Sequence, residues 1–161
     1  MNMKQKIKWK PLLLSLAIPL AVGGLSAFLT RDGMKLFASL PKPPLTPPPW
    51  MFSAAWTLLY LSMGYACYLV CVAGVSSVRL ERALTVYGLQ LAVNFLWPIL
   101  FFTMQAWLPA YFLLLVLLIL AAVCALLFSC ISRTAGRLLI PYLLWLAFAA
   151  YLNLGVYLLN R

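Results

Sequence analysis

The sequence predicts an all-α membrane protein, a five-transmembrane-helix bundle forming one domain over residues 1–161. Three observations carry the prediction. Apolar residues make up 66% of the chain and charged residues 9%, whereas a soluble domain is about half apolar. The few charges are grouped, leaving uncharged runs at 11–30, 43–78, 83–132 and 138–160. Each run supplies the roughly 20 residues that a helix needs to cross a bilayer. Polar and apolar residues do not alternate along these runs, which disfavours a β-barrel.

The first span is expected at 11–30. Its basic start and apolar run mimic a signal peptide, but Pro19, Gly23 and Gly24 suit a packed helix. A proline-rich loop, 31–46, follows. In PKPPLTPPPW (41–50) six prolines fall within nine positions. Prolines hold a connector extended and leave it little entropy to lose. Thr46 is expected to cap the second span, 47–74, with Pro47 in its first turn, where a missing N–H costs nothing. Two readings stand for this segment: a rigid lid over the bundle mouth, or a device that starts the helix. The run 83–132 would make one helix of about 75 Å, so it must fold back. The break is expected at Thr103-Met104-Gln105, giving spans at 83–102 and 107–131, with Pro109 opening the latter. The last span is expected at 137–159.

The formal charge of +10 reads as the positive-inside rule, with lipid headgroups rather than nucleic acid as partners. Lys4, Lys6, Lys8, Lys10, Arg79, Arg82, Arg133 and Arg137 fall on the N-terminal side, against Arg31, Lys35, Lys42 and Arg161 on the other. In a bacterial cell membrane this places the N-terminus in the cytoplasm and the proline-rich loop outside.

The residue inventory excludes several chemistries. Histidine is absent and the only carboxylates are Asp32 and Glu81, both expected in loops. Proton relays and histidine-ligated metals are therefore unsupported, and no metal site is expected. Cys67 and Cys71 share a helix face without a CxxC motif and read as packing residues. No phosphate-binding loop or nucleophile elbow is present.

Aromatic and amide groups remain. Gln90, Asn94, Trp97 and Phe101 share one face of the third span, and Pro98 withdraws the N–H that the Asn94 carbonyl would use. Trp145, Ala149 and Asn153 recur every fourth residue on the fifth span, beside Tyr142 and Leu152. Trp56 and Tyr60 stand four apart on the second. Trp9, Trp50 and Trp107 lie near predicted ends and read as interfacial anchors. Trp56, Trp97 and Trp145 are deeper. Either they pack between helices, or they converge as an aromatic box for a large flat ligand.

At these residues the chain resembles the translocator protein family, also called tryptophan-rich sensory proteins, TspO/MBR proteins or peripheral-type benzodiazepine receptors. Three blocks carry the likeness: KPPLTPPPWMFSAAWTLLYLSMGYACYLV (42–70), QLAVNFLWPILFF (90–102) and LLIPYLLWLAFAAYLN (138–153). They resemble the family patterns KPxWxPPxWxxxxxWxxLYxxMGY, QLxxNxxWxPxFF and LxxPYLxWxxFAxxLN. The likeness extends back to about Ser26. Three positions depart from it. Leu45 stands in place of a tryptophan, Leu36-Phe37 in place of Trp-Tyr, and Ala27 in place of an arginine.

The resemblance implies a five-helix homodimer with a pocket under the first loop. Its ligands would be porphyrins, sterols, or isoquinoline and benzodiazepine drugs, with no cofactor required. The implied ligand-binding residues are Trp56, Asn94, Trp97, Trp145, Ala149 and Leu152, under Pro43 and Pro44; Tyr60, Phe101 and Asn153 join them on the same faces. Arg31, Lys35 and Lys42 are expected at the mouth. A loose sterol motif falls on Leu152, Tyr157 and Arg161. Some bacterial relatives are linked to light- and oxygen-dependent porphyrin degradation, which would make Trp56 and Trp145 catalytic. A regulatory membrane partner associating through Ala17, Ala21, Gly23, Gly24 and Ala27 is the remaining alternative.

Overall fold

The computed structural model describes residues 7–161; Lys4 and Lys6, part of the charge count, lie outside the described residues. The elements are α1 (Trp9–Ala38), α2 (Pro49–Cys71), α3 (Ser77–Pro98) with a π-helical turn (Ile99–Thr103), α4 (Trp107–Ile131), α5 (Arg133–Leu138) and α6 (Ile140–Asn160). Five spans are long and apolar enough to cross a membrane, the fifth formed by α5 and α6 together. No strand occurs among the described residues. The chain is an integral multi-pass membrane protein.

The expected turn at Thr103-Met104-Gln105 is present, and Pro109 lies in the first turn of α4. Helix ends differ from those that the charged residues predict. α1 continues past Thr30 to Ala38, carrying Arg31, Asp32 and Lys35 on helical turns. Asp32 and Glu81 are therefore exposed helix residues, not loop residues. α3 likewise starts at Ser77 and α5 at Arg133. Charged residues tolerate a helix; they mark where it leaves hydrocarbon, not where it unwinds. α1 stops where Pro41 biases the preceding backbone away from the helical region. The loop is thus 39–48. α2 ends earlier than expected, at Cys71, before Gly74 turns with φ +70°. Thr46 does not cap α2: its hydroxyl donates to the Pro43 carbonyl at 2.7 Å, and Pro48 and Pro49 start the helix without a side-chain cap.

α1 packs against α2, and also against α3 and the π turn. α3 packs on α4, and α4 on α6. α2 closes the ring through α5 and through aromatic contacts with α6. Small residues permit the closest approaches, as expected where lipid supplies no hydrophobic drive between helices. A Cβ on Gly64 would stand 2.6 Å from the Ser15 carbonyl and 2.8 Å from the Leu16 Cα. α1 and α2 therefore meet backbone to backbone at the end away from the loop. Met63, Leu114, Leu117, Phe128 and Leu146 fill the centre, fully buried.

Candidate functional site: a chamber under the proline-rich loop

Toward the loop end the bundle opens into a chamber of about 800 Å³. Volumes of a few hundred to a thousand Å³ are usual for drug-sized ligands. Trp56 and Tyr60 on α2, Trp97 and Phe101 on α3 and its π turn, and Ala149, Leu152 and Asn153 on α6 form three walls. Gly23, Ala27, Thr30 and Met34 on α1 form the fourth, with Lys42 and Pro43 above.

Hydrogen bonds hold the aromatic wall. The Trp97 indole N–H donates to Asn153 Oδ1 at 3.0 Å, and Asn153 Nδ2 donates to the Trp107 carbonyl at 2.7 Å. Asn153 thereby ties α3, α6 and the start of α4 together. Trp97 stacks on Phe101 with centroids 5.4 Å apart. Trp56 stacks on Tyr60 at 5.6 Å and meets Trp97 at 6.3 Å. Such ring pairs contribute on the order of 1 kcal/mol beyond their burial.

Beneath the chamber lies a closed polar ladder. The Tyr60 hydroxyl donates to Asn94 Oδ1 at 2.6 Å, and Asn94 Nδ2 donates to the Tyr142 hydroxyl at 2.9 Å. Tyr142 donates to Gln90 Oε1 at 2.8 Å, and Gln90 Nε2 reaches Met63 Sδ at 3.7 Å. Asn94 and Gln90 are each 1% exposed, so their amides serve these partners.

The structure thus brings Pro43, Trp56, Tyr60, Trp97, Phe101, Ala149, Leu152 and Asn153 onto the chamber. Three expected residues do not line it. Asn94 lies below, occupied by Tyr60 and Tyr142. Pro44 faces outward, its carbonyl accepting from Tyr151 at 3.2 Å. Trp145 stands behind Trp56, centroids 6.4 Å apart, and against Phe52 at 5.6 Å; its indole N–H is buried without a partner. The expected mouth cations divide as well. Asp32 holds Arg31 at 3.8 Å and Lys35 at 2.9 Å, away from the lining. Lys42 lines the chamber, donating to the Ala38 carbonyl at 2.6 Å with its ammonium 5.4 Å from the Phe37 ring centroid. Leu152, Tyr157 and Arg161 do not share one surface: at 3.6 residues per turn Tyr157 stands about 140° round from Leu152, and Arg161 lies past the helix end.

The α1 wall went unassigned in the sequence, although Gly23, Ala27, Thr30 and Met34 have single-face spacing. Gly23 and Ala27 read there as helix-association residues. Gly23 instead makes room for Tyr60: a Cβ at that position would collide with the Tyr60 ring. A second close approach seats the loop. A Cβ on Gly155 would lie 2.6 Å from Pro43 Cβ. Tyr151 below it and Asn160 above, whose amide donates to the Pro41 carbonyl at 3.0 Å, complete a strap along α6.

Sequence comparison places the chain among known proteins. The profile of the TspO/MBR family matches residues 15–159. The chain belongs to that family. It is 37% identical over 150 residues to the tryptophan-rich protein TspO of Archaeoglobus fulgidus, covering 92% of this chain and 96% of the relative. It is 39% identical over 147 residues to the translocator protein of Ovis aries, covering 90% and 87% respectively. The human translocator protein is 38% identical over 137 residues, covering 82% and 79%. Family membership thus extends across archaeal and animal relatives and over nearly the whole bundle.

Proposed function

We propose that the protein is a membrane receptor, transport-like in role, that binds a porphyrin in the chamber under the proline-rich loop. Sterols and isoquinoline or benzodiazepine drugs are the wider ligand class that the family resemblance implies. The carrying observation is the chamber itself, about 800 Å³ with the Trp56 and Trp97 indoles on its wall. Indoles stack on flat conjugated rings. Lys42 on the lining offers an ammonium for a propionate. Binding requires no cofactor in this reading. The bacterial cell membrane, a cytoplasmic N-terminus and homodimerisation belong to the same proposal. Titrating protoporphyrin into purified protein, with tryptophan quenching as readout, tests it. Trp97→Ala weakens binding at least about tenfold, the loss of one good aromatic contact. Trp145→Ala acts less, because Trp145 reaches the chamber only through Trp56 and Phe52. Equal affinity in wild type and Trp97→Ala rejects the chamber as the site.

One observation favours a second reading, light-dependent degradation of the bound porphyrin with dioxygen as oxidant. Trp56 touches both Trp97 at 6.3 Å and Trp145 at 6.4 Å, so the indoles are contiguous from the chamber outward. Trp56→Phe and Trp145→Phe then lower illuminated turnover while leaving dark binding in place. Turnover equal to that of porphyrin in protein-free detergent removes this reading.

A further inference from the structure

The chamber is closed unequally. On the α3 and α6 side, Trp97, Phe101, Ala149, Leu152, Asn153 and Val156 all line it and are all buried. On the facing side, Gly24, Ala27 and Ala38 of α1, Leu45 and Pro49 at the loop, and Ser53 and Thr57 of α2 line it and are exposed, so the edge runs from the loop down between α1 and α2. A residue that borders a cavity and the outside at once forms the edge of an opening.

The two helices account for the opening. At Gly64 they touch backbone to backbone. One step nearer the loop, the Tyr60 ring fits between them against Gly23. Beyond that, a Cβ on Gly24 would meet nothing within 4 Å. α1 and α2 thus diverge from a tight crossing into a slot. Trp50, exposed at the start of α2, marks the interface. Ser53 and Thr57 lie about 5–10 Å deeper along the helix, within the hydrocarbon.

The slot presents no free polar group to lipid. Ser53 donates to the Pro49 carbonyl at 3.4 Å and Thr57 to the Ser53 carbonyl at 2.8 Å. Opposite, Ser26 donates to the Phe95 carbonyl at 3.3 Å and Thr30 to the Ser26 carbonyl at 2.9 Å. Every hydroxyl near the edge is turned onto a backbone oxygen, leaving methyl and methylene groups outward. The alternative entrance, from water past the loop, is fastened to α6 at Pro41, Pro43 and Pro44.

We infer that the chamber exchanges its ligand sideways with the bilayer, through the slot between α1 and α2, and not with water past the loop. The ligand class this selects is a membrane-dissolved amphiphile, flat enough to pass between two helices, whose anionic group ends beside Lys42. The inference rests on the receptor reading above.

The test is stopped-flow tryptophan quenching. Proteoliposomes are mixed with phosphatidylcholine vesicles carrying protoporphyrin. Gly24→Leu fills the slot from a position with open space around it, and Thr57→Phe fills it from the facing helix. Both slow loading and release together, each at least about tenfold, because a gate alters both rates. Tyr151→Phe with Asn160→Ala unfastens the loop and leaves the loading rate unchanged. Wild-type loading rates in both slot variants, or faster loading in the unfastened variant, overturn the inference while the receptor reading stands. Absence of any protoporphyrin binding to wild type overturns the receptor reading and this inference with it.

Discussion

Asn153 joins three elements of the site through one side chain. It accepts from Trp97 and donates to the Trp107 carbonyl, so Asn153→Leu strands a buried indole N–H and a carbonyl together. Each polar group left without a partner costs about 1–3 kcal/mol. The expected result is a lower midpoint in SDS unfolding of the purified protein and a weaker porphyrin titration. Gln105 acts in the opposite sense. It adopts φ 52° at the turn between α3 and α4, a region that side chains occupy at a cost of about 1 kcal/mol. Gln105→Gly relieves that strain, and the same unfolding assay reports a gain of a few tenths to about 1 kcal/mol.

At the scale of elements, the α1–α2 pair combines a tight crossing with a gap, and two glycines on it behave differently. Gly64→Leu forces backbones apart where no flexible side chain can yield. Overpacking of this kind costs about 1–3 kcal/mol or more. Gly24→Leu meets open space and replaces the poorest non-proline helix former, a gain of up to about 1 kcal/mol. Unfolding midpoints that move in opposite directions for the two variants confirm the divergence of α1 from α2. The loop is an element of the same kind, shaped by contacts instead of hydrogen-bonded repeats. Gly155→Ala pushes Pro43 off α6, and limited proteolysis then cleaves within 39–48 faster than in wild type.

The whole molecule depends on the buried ladder of Tyr60, Asn94, Tyr142 and Gln90. It joins α2, α3 and α6 at the chamber floor. Interhelical hydrogen bonds in membranes average below about 1 kcal/mol each, up to about 2. Asn94→Leu breaks two at once and leaves the Tyr60 hydroxyl without its acceptor, while Tyr142 keeps its bond to Gln90. The midpoint falls in unfolding assays, and porphyrin affinity falls less than in Trp97→Ala, because Asn94 does not line the chamber. An equal loss of affinity in the two variants contradicts that separation of floor from wall.

Taken alone, the sequence determined the class, the five spans, the turn at Thr103-Met104-Gln105 and most of the aromatic wall. Hydropathy and helical periodicity are local properties, and both survive in one dimension. Helix ends were misread at Ala38 and Ser77 because charge reports the edge of hydrocarbon, whereas backbone hydrogen bonding continues beyond it. Tertiary structure alone decided which residues face the chamber. Asn94 and Trp145 share helix faces with Trp97 and Ala149, yet one lies beneath the floor and the other behind Trp56. Depth along a helix and rotation toward a neighbour depend on how five helices pack. The α1 wall and the slot beside it arise the same way, from the close contact at Gly64 and its absence at Gly24.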